Sequence, residues 1–564
     1  MKIKVLIILI ALGVTAGCKK KQKTKSAQSI SIVPKPVSVK RKPGSFQLTR
    51  ATTIQIPAHS KKSRYAGNYL LKHLQSSTSY YSISMDTTAA ETDSSRIVLS
   101  LASDTTGFGN SEGYTLQVTP RKVEIKAPTP HGLFNGVQSL LQLFPAQIMQ
   151  SDYSLVPQNT KWTAPDVMIR DYPRFSYRGM HLDVGRHFFG VKFVKKYINL
   201  MAMYKMDRFH WHLTEDQGWR IQIKKYPKLT EIGAWRDSTI IGHNGSGRYL
   251  HKRTGGFYTQ KQIREVVNYA KKRFVTIIPE IEMPGHSSAA LAAYPKLGCK
   301  QNANYHVRSK WGVFKDIYCP SNYTFNFLEN VLTEVMKLFP SKYIHIGGDE
   351  TPKTAWKHSK LAQNVMKREG LKNEKQLQSY FITRIEKFVN KHGRHIIGWD
   401  EILEGGLAPG ATVMSWHGIK GGLKAAKKHH NAIMTPGNYC YFDHYQGNPK
   451  TEPLAIGGFL PLKKVYSYNP VPDSIPKQEA KYILGAQANV WTEYIRTPRK
   501  VEYMAYPRAL AMAEIDWTPQ KERHWNNFWQ RLQPQFKRLG VLNVNYAKQY
   551  KGKKPHLWKK KKKK

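Results

Sequence analysis

Eight short apolar segments dominate the chain from residue 179 onward, and they constrain its fold more than any other feature. Most of them are followed by an amphipathic helical segment. Strands of a parallel sheet that is covered on both faces have this near-continuous apolar character. Eight strand–helix units over roughly 350 residues predict an α/β fold, a (β/α)8 TIM barrel with insertions. The predicted strands cover residues 179–184, 208–213, 275–281, 343–346, 395–399, 412–416, 432–434 and 483–490.

Helical periodicity between these runs supports the alternation. Thr259 is followed three residues later by Gln262, which is the pattern of a capping box, so a helix is expected to begin at residue 260. Three other segments place apolar residues at the spacing of one helix face. The predicted helices cover residues 191–206, 260–274, 323–339 and 374–392.

A different pattern precedes the barrel. Between residues 30 and 168, short β-type runs alternate with polar turns and two helical segments, which predicts a small α+β domain. This region contains no cluster of potential catalytic groups, so we interpret it as scaffold. Its predicted strands are 53–56, 96–101, 114–118 and 122–126, and its helices 65–74 and 134–144. The predicted organisation is a signal peptide (1–18), a linker (19–29), the α+β domain (30–168), the barrel (169–525) and a basic C-terminal extension (526–564).

The first residues have the features of an export signal. Lys2 and Lys4 precede an apolar run over residues 5–14, which is the length of a signal-peptide core and too short to span a bilayer. The run ends in Thr-Ala-Gly-Cys, which resembles a lipoprotein processing site with Cys18 as the acylated residue. Thr15 replaces the Leu that is usual at that position. We predict an exported, membrane-anchored lipoprotein; the alternative is a plain secretory signal with an incidental Cys.

Charge and cysteine content narrow the possible partners. Lys and Arg number 89 against 38 Asp and Glu, a formal net charge of +51. Such a surface attracts anionic polymers nonspecifically, but no recognised nucleic-acid module accompanies it, so no specific nucleic acid is expected. Export permits a disulfide between Cys299 and Cys319. No pair of cysteines has zinc-site spacing, and we predict neither a metal nor a cofactor.

Two adjacent carboxylates end the fourth predicted strand. Residues 343–346 are apolar, Gly347 and Gly348 follow, and then come Asp349 and Glu350. Alternation along a strand places these two acids in different environments, which separates a proton-bearing carboxyl from an ionised one. The pair therefore indicates acid/base chemistry on a sugar or ester linkage. The alternative is that Asp349 caps the next helix and Glu350 is simply solvated.

Polar and aromatic residues collect at the end of every predicted barrel strand, where TIM-barrel active sites lie, and Arg178 precedes the first strand. Three tryptophans and a tyrosine among them indicate a sugar site, since pyranose faces stack on aromatic rings while carboxylates and Arg bind the hydroxyls. The alternative is that the tryptophans are core residues. In strand order the residues are Asp183; His212 and Asp216; Glu280, Glu282 and His286; Asp349 and Glu350; Trp399, Asp400 and Glu401; Trp416 and His417; Tyr441 and Asp443; Trp491 and Glu493.

Five ordered motifs resemble those of glycoside hydrolase family 20, the β-N-acetylhexosaminidases. They are YRGMHLD at 177–183, HWHLTEDQGWR at 210–220, PEIEMPGH at 279–286, HIGGDE at 345–350 and WTE at 491–493. The first region also resembles the family's N-terminal domain, with PKP at 34–36 and HGLFNG at 131–136. The resemblance extends from about residue 34 through residue 517. It implies a retaining exo-hydrolase that removes terminal GlcNAc or GalNAc.

The resemblance also implies how the chemistry is divided. The 2-acetamido oxygen of the substrate would be the nucleophile and would form an oxazolinium ion. Glu350 would protonate the leaving oxygen and later activate water, while Asp349 would accept the acetamido N–H. Tyr441 would bind the acetamido oxygen. An N-acetylhexosamine-containing oligosaccharide or glycoconjugate is therefore the expected partner.

The remaining motif positions imply binding and support. Arg178 would bind sugar hydroxyls with Glu493 and Asp443, and Asp216 and His286 would tune the protonation of the acid/base. Trp399, Trp416 and Trp491 would wall the acetamido group and the ring. Internal bracing explains Asp183, Glu280, Glu282 and His345 at least as well as substrate contact does, and we assign His345 to support.

Two other interpretations use the same residues. His210 and His212 have the HxH spacing of metal-dependent amidohydrolase barrels. That pattern belongs on the first strand, however, and here it falls on the second. A non-catalytic sugar-binding lipoprotein is the other alternative, but the presence of both Asp349 and Glu350 argues against it.

Overall fold

A computed structural model describes residues 30–56, 62–87, 95–301 and 303–552 of the chain. The predicted signal peptide, Cys18, the whole of the linker and the final Lys run lie outside the described residues. Cys299 and Cys319 form a disulfide bond, as predicted. None of the helices in the described ranges combines the length and the apolar character that a bilayer crossing needs.

The first domain is a mixed sheet with two helices. In the described part of the chain, seven strands form this sheet, and helices Ser63–Thr78 and Pro130–Leu143 accompany it. The predicted α+β character is confirmed. Strands Ser38–Gln47, Met85–Asp86 and Thr163–Asp171 were not predicted. The spatial order of the strands is Ser38–Gln47, Thr163–Asp171, Tyr114–Val118, Lys122–Ala127, Arg96–Leu101, Thr53–Gln55 and Met85–Asp86.

The strand Thr163–Asp171 moves the boundary between the two domains. It pairs with the first-domain strand Tyr114–Val118 as far as Asp171, which lies opposite Tyr114. The predicted boundary after residue 168 would cut this strand, so the first domain extends at least to Asp171. The reason is that pairing with a sheet partner, which local patterning does not reveal, determines where the strand ends.

Parallel strands then close into the predicted barrel. Within the described ranges, eight strands form a closed ring, in which the last strand pairs with the first. Every predicted strand is present, with bounds that differ by two residues at most. They are Tyr177–Asp183, Arg208–His212, Thr276–Met283, Tyr343–Gly347, His395–Trp399, Thr412–Ser415, Ala432–Met434 and Ile483–Ala488.

Helices and small hairpins surround the barrel. The capping box at Thr259 and Gln262 is formed, with both of its hydrogen bonds. The longer helices are Val191–Met203, Gln260–Lys271, Asn322–Leu338, Lys360–Arg368, Glu374–Lys391, Lys420–Lys427, Pro498–Ala505 and Arg508–Trp517. Shorter ones are Lys228–Glu231, Ser288–Ala293, Thr354–Lys357, Gly437–Cys440, Leu462–Tyr466 and Lys477–Ala480. Three two-residue strand pairs join Thr214–Glu215 to Gly218–Trp219, Trp235–Arg236 to Thr254–Gly255, and Thr239–Ile240 to Tyr249–Leu250.

The segment predicted as a basic extension is largely folded. Residues 525–541 form the helix Trp525–Val541, whose Arg531 donates two hydrogen bonds to Glu514 at 2.7 and 2.6 Å. Arg538 donates to the carbonyl oxygens of Leu141, Gln142 and Phe144, at and just after the end of a first-domain helix. The basic residues of this helix thus bind partners that are distant in sequence. The helix therefore joins the barrel to the first domain.

Candidate active site

A glycine turn at the end of the fourth barrel strand orients the two adjacent acids. Gly347, Gly348 and Glu350 have φ angles of 70°, 93° and 43°. A Cβ atom on Gly347 would lie 1.7 Å from Oε2 of Glu282, so only glycine fits there. The turn leaves the Asp349 side chain 11% exposed and the Glu350 side chain 37% exposed. The two carboxyls therefore occupy different environments, as predicted.

Both acids open into a cavity of about 570 Å³ at the carboxyl ends of the barrel strands. The predicted residues Trp416, Tyr441, Asp443, Trp491 and Glu493 lie in its lining with Asp349 and Glu350. Trp416 and Tyr441 stack nearly parallel, with ring centres 6.0 Å apart, and Trp491 lies 6.3 Å from Tyr441. The cavity therefore presents aromatic faces and carboxylates together, which suits a sugar ring.

Trp399 lies in the barrel core and is absent from the residues that line this cavity. It is 1% exposed, its ring centre lies 5.6 Å from that of Trp491, and its indole N–H donates to Glu280 at 2.9 Å. Three tryptophans at strand ends thus divide into two wall residues and one core residue. The indole of Trp399 turns inward to a buried carboxylate, and the ring packs behind the wall residue Trp491; a direct contact of Trp399 with the acetamido group stays a prediction.

His286 connects Glu350 to two buried acids. Its Nε2 lies 3.3 Å from Glu350, and its Nδ1 lies 2.8 Å from Glu215 and 3.0 Å from Asp216. Asp216 also accepts the main-chain N–H of Ser288 at 2.9 Å, which holds it in place. Asp216 therefore acts through His286 and not on a ligand directly. Glu215 was not predicted, although it lies next to Asp216 in the sequence.

The charges of this group are set by burial and by the acids around His286. Burial opposes a charge on His286, but Glu215 and Asp216 outweigh it and raise the pKa of His286 well above its usual value. Contact with this cation holds the pKa of Glu350 below its usual value, against the effect of burial. Burial raises the pKa of Asp349 well above its usual value, although His286 opposes this, and Glu401 and Glu350 add to it. Without a ligand, Asp349 therefore holds a proton more readily than Glu350 does.

Arg178 is at the wrong end of the barrel to bind the sugar. It lies at the beginning of the strand Tyr177–Asp183, fully buried, and forms ion pairs with Glu112 and Asp207. It also donates to the carbonyl oxygens of Lys205 and Phe175 at 2.8 Å. The prediction that Arg178 binds hydroxyls is therefore wrong.

Replacing Arg178 by Met is expected to destabilise the fold. The change leaves the carboxylates of Glu112 and Asp207 without their buried partner, which costs about 3–5 kcal/mol. Thermal or urea unfolding would measure the loss. Arg121→Met at an exposed position is the control and should stay within about 0.5 kcal/mol of the parent protein. Equal unfolding midpoints for the two variants would contradict this structural role.

Arg186 occupies the position that Arg178 was expected to fill. It lines the cavity, its guanidinium lies 5.0 Å from the Trp491 ring centre, and it pairs with Glu215 at 3.0 Å and Glu493 at 4.0 Å. Asp183 accepts the main-chain N–H of Arg186 at 3.0 Å and so shapes the loop that carries it. The available clue was its position just after a strand, whereas Arg178 comes at the start.

The remaining predicted residues brace the barrel interior. Glu280 binds His210 at 2.9 Å, His212 at 2.5 Å and His345 at 2.8 Å, and Asp183 accepts the main-chain N–H of Thr492 at 3.0 Å. His345 therefore has the supporting position assigned to it. Buried donor groups that could approach one metal ion include His181, His210 and Glu280, or His212, Glu215 and Glu282. The imidazoles of the HxH pair are directed at Glu280: His212 forms a hydrogen bond with it, and Nε2 of His210 lies 2.9 Å from the same carboxylate.

Comparison with known proteins agrees with the motifs. Residues 175–520 match the model of the glycosyl hydrolase family 20 catalytic domain, and residues 29–172 match domain 2 of the same family. The chain belongs to glycosyl hydrolase family 20. It is thus a glycoside hydrolase of the β-N-acetylhexosaminidase type, as its motifs implied.

Family 20 relatives resemble the chain over most of its length. A β-hexosaminidase of Porphyromonas gingivalis is 47% identical over 93% of this chain, which spans 66% of that relative. A β-hexosaminidase of Vibrio furnissii is 36% identical over 86% of the chain and 76% of the relative. The solved family 20 exo-β-N-acetylglucosaminidase of Vibrio harveyi, in complex with N-acetylglucosamine, has a TM-score of 0.78 at 32% identity. That match covers 94% of this chain and 79% of the solved one.

Proposed function

We propose that this family 20 chain is a retaining exo-β-N-acetylhexosaminidase whose substrate supplies the nucleophile. One observation carries the proposal: Asp349 and Glu350 are neighbours on one turn, 3.7 and 3.3 Å from the same atom of His286. Hydrolases with a carboxylate nucleophile or base place their two acids on opposite sides of the bond. Acids that share one side leave the attack to the 2-acetamido oxygen.

The steps follow from this arrangement. Glu350 gives its proton to the leaving oxygen while the acetamido oxygen bonds to the anomeric carbon, which forms an oxazolinium ion. Oδ1 of Asp349 is buried and has no hydrogen-bond partner among the described residues, so it can accept the acetamido N–H. Glu350 then takes a proton from a water molecule. The oxygen of this water attacks the anomeric carbon, and the bond from that carbon to the acetamido oxygen breaks, which opens the oxazolinium ring. Two inversions leave the product in the β configuration.

Substrate binding reverses the ligand-free protonation of the pair. A bound sugar covers Glu350 and removes its water, which raises its pKa. The acetamido N–H donates to Asp349 and favours its ionised form, and the positive charge that develops on the oxazolinium strengthens this effect. The proton of the pair then resides on Glu350, at the leaving oxygen.

Unpaired buried groups support recognition of a terminal sugar. Nε of Arg186, Oδ1 of Asp443 and Oε2 of Glu493 are buried without hydrogen-bond partners among the described residues. Buried polar atoms are normally paired, so these three are suited to bind sugar hydroxyls. A cluster of this kind binds the hydroxyls of a sugar at the non-reducing end of a glycan. We therefore propose terminal GlcNAc or GalNAc as the substrate class. Cleavage of matched aryl glycosides with and without a 2-acetamido group is the decisive experiment.

We also propose that the protein is exported and anchored by a lipid on Cys18. The apolar run at residues 5–14 and the motif that ends at Cys18 support this location. The disulfide between Cys299 and Cys319 is typical of an oxidising compartment and agrees with export.

Replacing Cys18 by Ala is expected to release the protein from the membrane. Expressed in a bacterium, the parent should incorporate an alkyne-labelled fatty acid and sediment with membranes, because acylation requires the Cys18 thiol. The variant should incorporate none. Cys440→Ala is the matched control, since Cys440 is a buried free thiol more than four hundred residues from Cys18 in the sequence. Labelling of the Cys18 variant at the parent level would contradict the lipid anchor.

A further inference from the structure

Glu401 lies directly behind the acid/base residue and has no role in the mechanism described above. Its Oε1 accepts the main-chain N–H of Glu350 at 3.3 Å, and its Oε2 accepts the indole N–H of Trp416 at 2.9 Å. One carboxylate thus connects the backbone of the proton donor to the aromatic wall. The Glu401 side chain is 16% exposed, so these bonds are largely shielded from water.

The backbone of Glu350 needs such support. Its φ of 43° is in the left-handed region, which residues with a side chain adopt only at an energetic cost. Strained conformations persist where the surroundings hold them, and they cluster at functional sites. The hydrogen bond to Glu401 acts on the N–H of the strained residue itself. Loss of this acceptor would therefore allow the Glu350 backbone to relax.

Glu401 is itself held on a rigid turn. It belongs to the 3-10 helix Asp400–Leu403, which begins directly after the strand His395–Trp399. Ile402 of this turn packs so closely that a Cβ on Gly348 would lie 2.6 Å from its Cγ2, and a Cβ on Gly398 2.8 Å. The turn that carries Glu401 and the turn that carries Glu350 are thus in direct contact.

His417 and Asp400 limit how the Glu401 carboxylate can move. Nδ1 of His417 lies 2.8 Å from Asp400, and its Nε2 lies 3.8 Å from Oε1 of Glu401. The imidazole also stacks on Trp416, with ring centres 3.9 Å apart. Two N–H donors and a neighbouring imidazole therefore surround the carboxylate and favour one orientation.

We propose that Glu401 is a positioning residue for proton transfer. By accepting the Glu350 N–H, it keeps the acid/base carboxyl directed into the cavity mouth at a constant distance from the Trp416 wall. Glu401 donates no proton to the substrate and does not touch it. The inference rests on the proposed role of Glu350 as the acid.

Dependence on the leaving group tests this role. Glu401→Gln keeps the size of the side chain but replaces one of its two acceptor oxygens by an NH2 group, so the side chain can no longer accept both the Glu350 N–H and the Trp416 N–H. For phenyl β-N-acetylglucosaminide, whose leaving group needs a proton, we expect kcat/KM to fall by about tenfold or more. For the 2,4-dinitrophenyl glycoside, which leaves unprotonated, we expect a loss below about twofold. The ratio of the two values for one preparation does not depend on how much of the variant has folded.

Two variants make the result decisive. Glu404→Gln removes the same charge three residues away, at an exposed position whose carboxylate pairs with Lys375 at 3.1 Å, and it should leave the ratio unchanged. Glu350→Gln should change the ratio more than Glu401→Gln does. Suppose that Glu401→Gln lowers kcat/KM equally for the two glycosides, while the loss in Glu350→Gln depends strongly on the leaving group. This result would overturn the role of Glu401 and leave that of Glu350 intact. If the loss of kcat/KM in Glu350→Gln were the same for both leaving groups, the assignment of Glu350 as the acid would be overturned.

Discussion

Glu350→Gln is expected to lower kcat/KM for phenyl β-N-acetylglucosaminide by about 10²–10⁴-fold, the range that general acid catalysis supplies. The amide cannot protonate the leaving oxygen in the first step or take a proton from water in the second. Because the side chain is 37% exposed and the amide has the same shape, the fold should be retained. Steady-state release of phenol would measure the loss.

Binding should survive the same substitution. Affinity for N-acetylglucosamine, measured by calorimetry, is expected to stay within about threefold of the parent, because Asp349, Trp416 and Trp491 still line the cavity. The exposed Glu404→Gln serves as the control for kcat/KM. Unchanged turnover by the Glu350 variant would refute its assignment as acid and base.

A matched aryl β-glucoside with a 2-hydroxyl group is expected to be cleaved at least about 10³-fold more slowly than the 2-acetamido substrate. The hydroxyl cannot replace the acetamido oxygen, so the reaction loses a nucleophile held within reach of the anomeric carbon. Intramolecular attack of this kind is equivalent to about 10⁵–10⁸ M of external nucleophile. Initial rates of the two substrates at one enzyme concentration would measure the ratio.

Asp349→Asn separates this effect from simple failure to bind. The amide cannot balance the positive charge of the oxazolinium, so turnover of the 2-acetamido substrate should fall by about 10²–10³-fold. Any residual cleavage of the 2-hydroxyl substrate should be unaffected, because no acetamido group is present. Equal rates on the two substrates in the parent enzyme would exclude substrate-assisted catalysis.

Local patterning was sufficient to predict the barrel. Strands such as Tyr343–Gly347 and His395–Trp399 are buried on both faces, so their apolar runs and end points can be read from composition. The strand Ser38–Gln47 escaped prediction because it is almost entirely exposed and has no apolar alternation. Its position follows from pairing with Thr163–Asp171, a partner more than one hundred residues away.

The residues of the candidate site likewise divide into those that the sequence predicts and those that only packing decides. Asp349 and Glu350 could be singled out because glycines and two acids directly after a buried strand restrict the possible chemistry. Trp416 and Trp399 follow neighbouring strands and look alike in sequence. Only packing decides that one lines the cavity and the other donates to Glu280 in the core.

The sequence by itself determined the barrel, the order of its strands and the adjacent pair of acids, because these depend on residues that are close together in the chain. The tertiary structure alone decided that Arg186 and not Arg178 faces the cavity, since a strand's two ends lie on opposite sides of the barrel. It also decided that Glu401 supports Glu350. That contact joins turns from two strands, and no local pattern records which side chains meet when a barrel closes.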